Sequence, residues 1–261
     1  MSAPSLAAPE LRRTGTGQPV LLLHPLGVDS SFWDGVVPAL EGFDVLTYDF
    51  PGHGRTPVPA APYTIEDLSE QATGLLADAG YEQVDVVGVS LGGLVAQRLA
   101  VDHPELVRRL VVVDAVAAYP PALQQQWRDR AARTPADGLK PLIDPTLSLW
   151  FTADRLVEGG ALVERVRTLL LAGDPRGSAL ACQALEQVDL TGVTGRIGAP
   201  TLVVCGEDDA LPFTAAARAL ADELPGARLV WLSPARHAGV LERPEQFLQA
   251  LTAFLREGDS K

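Results

Sequence analysis

The sequence predicts an α/β fold: a mostly parallel sheet with helices on both faces and a helical segment inserted between its two halves. Three observations carry this. Short apolar runs at residues 20–23, 45–48, 84–89, 110–113, 201–205 and 229–232 are continuously hydrophobic, as strands covered on both faces are. Helical patterns separate strand from strand in the first half, and strictly alternating strands and helices build a parallel sheet. That alternation stops between residues 117 and 190, where helical patterns continue without a strand until the run at 201–205 resumes the sheet. With 261 residues, 47% of them apolar, the chain is long enough for one large core with an insertion. The expected organisation is a core built from residues 1–116 and 191–261, with a helical cap at 117–190. Such a cap would cover the carboxyl ends of the strands, where open α/β sheets place their ligands.

Taken in order, each element has a local reason. The run at 20–23 ends in His24-Pro25-Leu26-Gly27, and the run at 45–48 leads into the turn Pro51-Gly52-His53-Gly54. A helix over 64–79 starts on Thr64, with Asp67 three residues on as a short-armed capping box and Leu68, Leu75 and Leu76 as its apolar face. The run at 84–89 stops at Ser90, and a helix over 91–101 follows directly. The run at 110–113 ends on Asp114. Helical patterns at 123–133 and 155–171 fill the insertion. In the last third, the run at 201–205 is followed by Gly206-Glu207-Asp208-Asp209, and the run at 229–232 by a loop holding His237, before a final helix from near Pro244.

The formal net charge of −12 argues against nucleic acid or an anionic membrane surface as partner, since both attract basic faces. Two cysteines, Cys182 and Cys205, make no disulfide framework and no metal-ligand cluster. The N-terminal stretch MSAPSLAAPELRRTG lacks the charged and apolar regions of a signal peptide, and no apolar run reaches membrane-spanning length. A cytoplasmic enzyme with a small-molecule substrate and no bound metal is expected. Oligomeric state is not legible.

Gly88-Val89-Ser90-Leu91-Gly92 matches the nucleophile-elbow pattern, in which serine sits on a sharp strand-to-helix turn. The glycines two positions either side leave room for strand and helix to close in. A serine nucleophile needs a base, and there are four histidines. His103 lies where the following helix ends, away from the strand ends. His53 sits in a glycine turn, and His24 reads as a residue that holds its loop by hydrogen bonding. His237, on a loop at the carboxyl end of a strand, is placed as a general base should be. The acid that orients it is read as Asp209, past the turn that follows Gly206, with Asp114 as competitor and Glu207 and Asp208 as solvated neighbours. An oxyanion needs two amide donors. One is Leu91, next to the serine, and the other is Leu26, because Pro25 has no N–H to give.

The stretches HPLGVDSSFWD, YDFPGHGRT, GVSLGGLVAQRLA, CGEDDALP and ARHAGVLERPEQF together resemble the α/β-hydrolase family over essentially the whole chain. Ser90, Asp209 and His237 stand in that family's order. Among its branches the sequence is most similar to 3-oxoadipate enol-lactonases, on QQWRDRAA, the LWFT stretch at 149–152 and DPRGSALACQALEQVDL. The resemblance implies the α/β-hydrolase fold and cofactor-free hydrolysis of an enol-lactone in aromatic catabolism, with those three residues as triad. It also implies a substrate carboxylate, for which Trp127 and Arg130 would supply an aromatic wall and a cation, with Trp150 a further candidate. Leu149 departs from the pattern: an arginine is expected there, and its absence favours a less charged lactone or ester. A C–C bond hydrolase, a perhydrolase and a non-catalytic ligand receptor are the competing readings. Serine at the elbow argues against dehalogenase and epoxide-hydrolase branches, which place aspartate there.

Overall fold

The computed structural model describes residues 6–257, so residues 1–5 of the stretch read for a signal peptide lie outside the described residues, as do 258–261. Seven strands form one sheet: β1 Arg12–Gly15, β2 Gln18–Leu23, β3 Phe43–Thr47, β4 Val84–Val89, β5 Val107–Val113, β6 Thr201–Gly206 and β7 Arg228–Leu232. Their spatial order is β1-β3-β2-β4-β5-β6-β7, and only β1 runs antiparallel. β1 has no counterpart among the apolar runs. Its sequence, Arg-Arg-Thr-Gly, is an exposed edge paired on one side only, so it carries no hydrophobic signal.

The continuous apolar runs still divide between two faces with period two. Leu21, Leu23, Val86, Leu110, Val112 and Val203 join one core cluster, while Val20, Leu22, Val87, Val111, Val113 and Val204 join the other. Helices cover both. On the first face lie α1 Ile65–Asp78 and α2 Leu91–Asp102, through Leu68, Leu76 and Leu94. α1 starts with the expected capping box: the Thr64 hydroxyl accepts from Asp67 N at 3.1 Å and the Asp67 carboxylate accepts from Thr64 N at 2.8 Å.

Between β5 and β6 the chain is helical: α3 Pro121–Asp137, α4 Ile143–Trp150, α5 Ala153–Glu158, α6 Ala161–Ala172 and α7 Pro175–Gln187. The single helix expected over 155–171 is in fact two. Gly159 and Gly160 have φ of 61° and 90°, a left-handed pair that breaks the helix between α5 and α6. The excursion closes on itself, since Leu190 N donates to Ala117 O at 2.9 Å and Ala118 bridges Asp189. After β6 come α8 Leu211–Glu223, then β7, the short α9 Gly239–Glu242 and α10 Pro244–Leu255; α10 lays Phe247 and Leu251 on the second face. Among the described residues no helix is long and apolar enough to cross a membrane.

The helical segment touches the core at one unusually close point. A side chain on Gly177, at the start of α7, would fall on the backbone of Gly52, and one on Gly52 would fall on Gly177. Inside an ordinary helix Gly→Ala stabilises by about 1 kcal/mol, whereas overpacking a close contact costs about 1–3 kcal/mol. Gly177→Ala is therefore expected to destabilise the protein in urea denaturation, against the helix propensity. A rise in midpoint would show that the contact has room.

Candidate active site

Ser90 follows β4 and caps α2 with φ 54° and ψ −111°, a left-handed conformation that a non-glycine residue adopts only under constraint from its surroundings. Two constraints hold it. Ser90 N donates to Val113 O at 2.9 Å, tying the turn to β5, and the flanking glycines let it close. A side chain on Gly88 would strike Gly92 O, and one on Gly92 would strike Leu23 O. The result is a hydroxyl at the carboxyl end of a central strand, 8% exposed.

His237 and Asp209 arrive on the loops after β7 and β6, which are laced together: Glu207 N donates to Leu232 O and Asp208 N to Ala235 O, both at 2.9 Å. Asp209 accepts from Ala210 N at 2.7 Å through Oδ1 and meets His237 Nδ1 at 2.8 Å through Oδ2. His237 Nε2 lies 3.0 Å from Ser90 Oγ. With the imidazole protonated on Nδ1, that nitrogen donates to Asp209 and Nε2 accepts from the serine. Burial works against the imidazolium, but the adjacent Asp209 charge and its hydrogen bond outweigh burial, so His237 titrates above the usual histidine value. The structure thus joins Ser90, His237 and Asp209. Asp114, the competing acid, bonds Gly206 N instead.

Two groups that hold this loop escaped the sequence reading. The Phe213 ring lies 4.2 Å from the His237 ring, centroid to centroid. Its signal was present, since ALPF opens α8 one turn beyond Asp209. The buried Glu242 carboxylate accepts from Thr152 N, Thr152 Oγ1 and Arg236 N at 2.8–3.0 Å, pinning the residue before His237 to the helical segment. A glutamate in HAGVLERP gives no hint of that from spacing.

The other histidines do different things. His24 accepts from Phe50 N at 2.9 Å through Nε2 and meets Pro25 O at 2.8 Å through Nδ1, so it holds the loop after β2. His53 is buried, with Nδ1 3.1 Å from Pro51 O. Burial and the neighbouring His24 push it down to about 4. His103 pairs with Glu70 past the far end of α2, about 20 Å along the helix from Ser90 at about 1.5 Å per residue. The loop holding Leu26 adjoins the Ser90 turn, because Leu23 of β2 pairs with Gly88 of β4. Among the described residues neither Leu26 N nor Leu91 N has an acceptor.

Beside the imidazole lies a cavity of about 380 Å³, lined by Trp127, Arg130, Leu149 and Phe213 among others. It reaches the site through Phe213 and through Leu149, whose carbonyl accepts from His237 N at 3.4 Å. Arg130 lies over the Trp127 ring at 5.6 Å. It has no ion pair among the described residues, and its Nε is buried without a partner. Trp150 is a correction to the expectation of substrate contact. It is 4% exposed, edge-on to Phe32 in the core, and its carbonyl accepts from Ala238 N at 2.9 Å, so it is enclosed by packing and not open to the cavity.

Comparison with known proteins gives one family and consistent neighbours. The model of the Alpha/beta hydrolase family matches residues 20–250. The chain is 30% identical to 3-oxoadipate enol-lactonase 2 of Acinetobacter baylyi over 92% of this chain and 89% of that one. It is 31% identical to the pimeloyl-[acyl-carrier protein] methyl ester esterase of Nitrosomonas europaea, over 95% of this chain and 100% of that one. The crystal structure of the enol-lactonase from Burkholderia xenovorans LB400 superposes with a TM-score of 0.90 at 32% identity, covering 97% and 98% of the two chains.

The raised imidazole gives a test that needs no substrate. In an NMR titration His237 is expected to deprotonate above the free-histidine value of about 6.5, and Asp209→Asn to move it downward by removing the neighbouring charge. An unmoved titration would place the acid elsewhere.

Proposed function

The chain belongs to the alpha/beta hydrolase family, and from that premise we propose that it hydrolyses a carboxylic ester or lactone through an acyl-enzyme on Ser90, with 3-oxoadipate enol-lactone as its substrate. The carrying observation is the unbroken hydrogen-bond line from Asp209 through His237 to Ser90 Oγ. Ser90 attacks the carbonyl carbon as His237 Nε2 takes its proton, and Asp209 stabilises the imidazolium that forms. The oxyanion is taken up by Leu26 N and Leu91 N, amides that have no acceptor among the described residues. The imidazolium returns that proton to the departing ring oxygen, which leaves as an enol and tautomerises to a ketone, so that His237 is neutral again. His237 then activates water, which releases the acid and restores the serine. No step calls for a metal or cofactor. Because kcat/KM requires neutral His237, activity rises with pH through its raised titration.

The named activities of the Acinetobacter and Burkholderia relatives support the enol-lactone, and Arg130 supports its carboxylate: a cation with no carboxylate partner among the described residues, lining the cavity beside the imidazole. Leu149 in the same lining favours a second reading, a neutral lactone or ester, in line with the esterase relative.

Hydrolysis of a short p-nitrophenyl ester is expected to fall about 10⁶-fold in Ser90→Ala and about 10⁴-fold in Asp209→Asn. Equal release by wild type and Ser90→Ala would sink the acyl-enzyme. A panel of enol-lactones with and without a side-chain carboxylate decides between the two readings. Arg130→Ala is expected to raise KM about 10-fold to 100-fold for carboxylate-bearing members alone, the loss of one charge-assisted hydrogen bond. An equal effect on neutral members would make Arg130 a packing residue.

A further inference from the structure

Among the described residues only two that are not glycine have φ in the left-handed region: Ser90 at 54° and Asp114 at 48°. They stand side by side, each the residue after its strand, on the paired strands β4 and β5, where Val89 faces Val113. Strain of this kind persists only where the surroundings enforce it, and it gathers at functional sites. For Ser90 the proposed chemistry accounts for it. Asp114 has no part in that chemistry and is nevertheless held as tightly: Asp114 N donates to Val204 O at 3.0 Å, and its Oδ1 accepts from Gly206 N at 2.9 Å. That second bond ties β5 to the start of the turn that carries Asp209. Its other oxygen, Oδ2, is buried and has no hydrogen-bond partner among the described residues.

The setting is hostile to a charge. Asp114 is 1% exposed, and oxygens of Asp114 and Asp209 and the sulfur of Cys205 lie within 4.8 Å of one another. No arginine or lysine bonds it among the described residues. Arg218 acts on Cys205 and Arg236 on His237, while the groups that act on Asp114 are Asp209, His237 and Cys205. A protonated Oδ2 would give the orphaned oxygen a hydrogen to donate and spare the acid turn a second negative charge.

We propose that Asp114 is a positioning residue that works as a neutral carboxylic acid, anchoring the acid turn through Gly206 N and facing Asp209 without charge. This rests on the proposed roles of Asp209 and His237. Burial, reinforced by the Asp209 charge, pushes Asp114 up to about 8, against the opposing pull of His237, of the bond from Gly206 N and of the Cys205 thiol beside it. The sign for stability follows. Between about pH 4 and about pH 8 the native protein holds a proton that the unfolded chain has lost, so Asp114 draws stability down as pH rises through that window. Asparagine has the shape of the neutral acid, with an amide N–H where the proton sits, and it cannot ionise.

The test compares wild type, Asp114→Asn and Asp114→Ala in the full chain, by thermal melting across this pH range and by ester hydrolysis. The melting temperature of Asp114→Asn is expected to match wild type near pH 4 and to exceed it by several degrees near pH 8. A gap that does not change with pH would overturn the neutral acid. Asp114→Ala is expected to lower kcat more than about tenfold with little change in KM, and Asp114→Asn to recover most of that loss. Wild-type kcat/KM is expected to decline above about pH 8, where an ionised Asp114 repels Asp209, and the asparagine variant to lack that step. Full kcat in the alanine variant, or the same step in the asparagine variant, would overturn the positioning role. The melts and the NMR signal of the His237 Nδ1 proton, which Asp114→Ala should shift, need no turnover. A protein that hydrolyses no ester would therefore fail the hydrolase reading and still report on Asp114.

Discussion

Everything at this site depends on one turn that the backbone would not adopt unaided. Ser90 sits in a left-handed conformation between β4 and α2, and the cost is met by its surroundings: an amide bonded to Val113, and two glycines that let the strand and helix backbones approach. The same turn starts α2 at Leu91, whose amide is left without an acceptor beside the serine. It also puts the hydroxyl next to β5 and within reach of the loops after β6 and β7. A serine in a relaxed turn would leave His237 and Asp209 bonded to each other with nothing to act on.

What was legible in the chain followed from local causes. The parallel strands announce themselves because both faces are covered, and Ser90, His237 and Asp209 because each lies in the segment that leaves the carboxyl end of an apolar run. β1 was invisible since an exposed edge strand has no reason to be apolar. The break at Gly159-Gly160 was missed because the apolar periodicity continues across it into α6. Trp150 reads as a substrate contact by its neighbours in sequence, yet what places it is long-range: Phe32 in one segment and Ala238 in another close over it. Choosing Asp209 over Asp114 was likewise a tertiary matter. Both follow apolar strands, and only the lacing of the β6 and β7 loops brings one of them to the imidazole.

Electrostatics at the site are organised by backbone more than by side chains. In a chain with a net charge of −12 the buried carboxyls Asp209, Asp114 and Glu242 are each bonded by a main-chain N–H: Ala210, Gly206 and Arg236. Amides fixed by the end of β6 and by the laced loops after β6 and β7 do not rearrange when a charge appears, so the field around His237 is set before a substrate arrives. Arg130 differs from these groups, being a side-chain cation on a helix outside the sheet.

The bond between Leu190 and Ala117 shows that the helical excursion leaves and returns at a single point. Seen as a graph, the sheet with its three site residues is one circuit and the excursion another, joined at the base and again where Leu149, Trp150 and Thr152 bond His237, Ala238 and Glu242. A change of length away from those joints leaves the strand register of the sheet untouched, whereas exchanging the whole second circuit removes three supports of the loop that carries His237. The scaffold is therefore not modular in the engineer's sense: the two circuits share the joints that hold the imidazole.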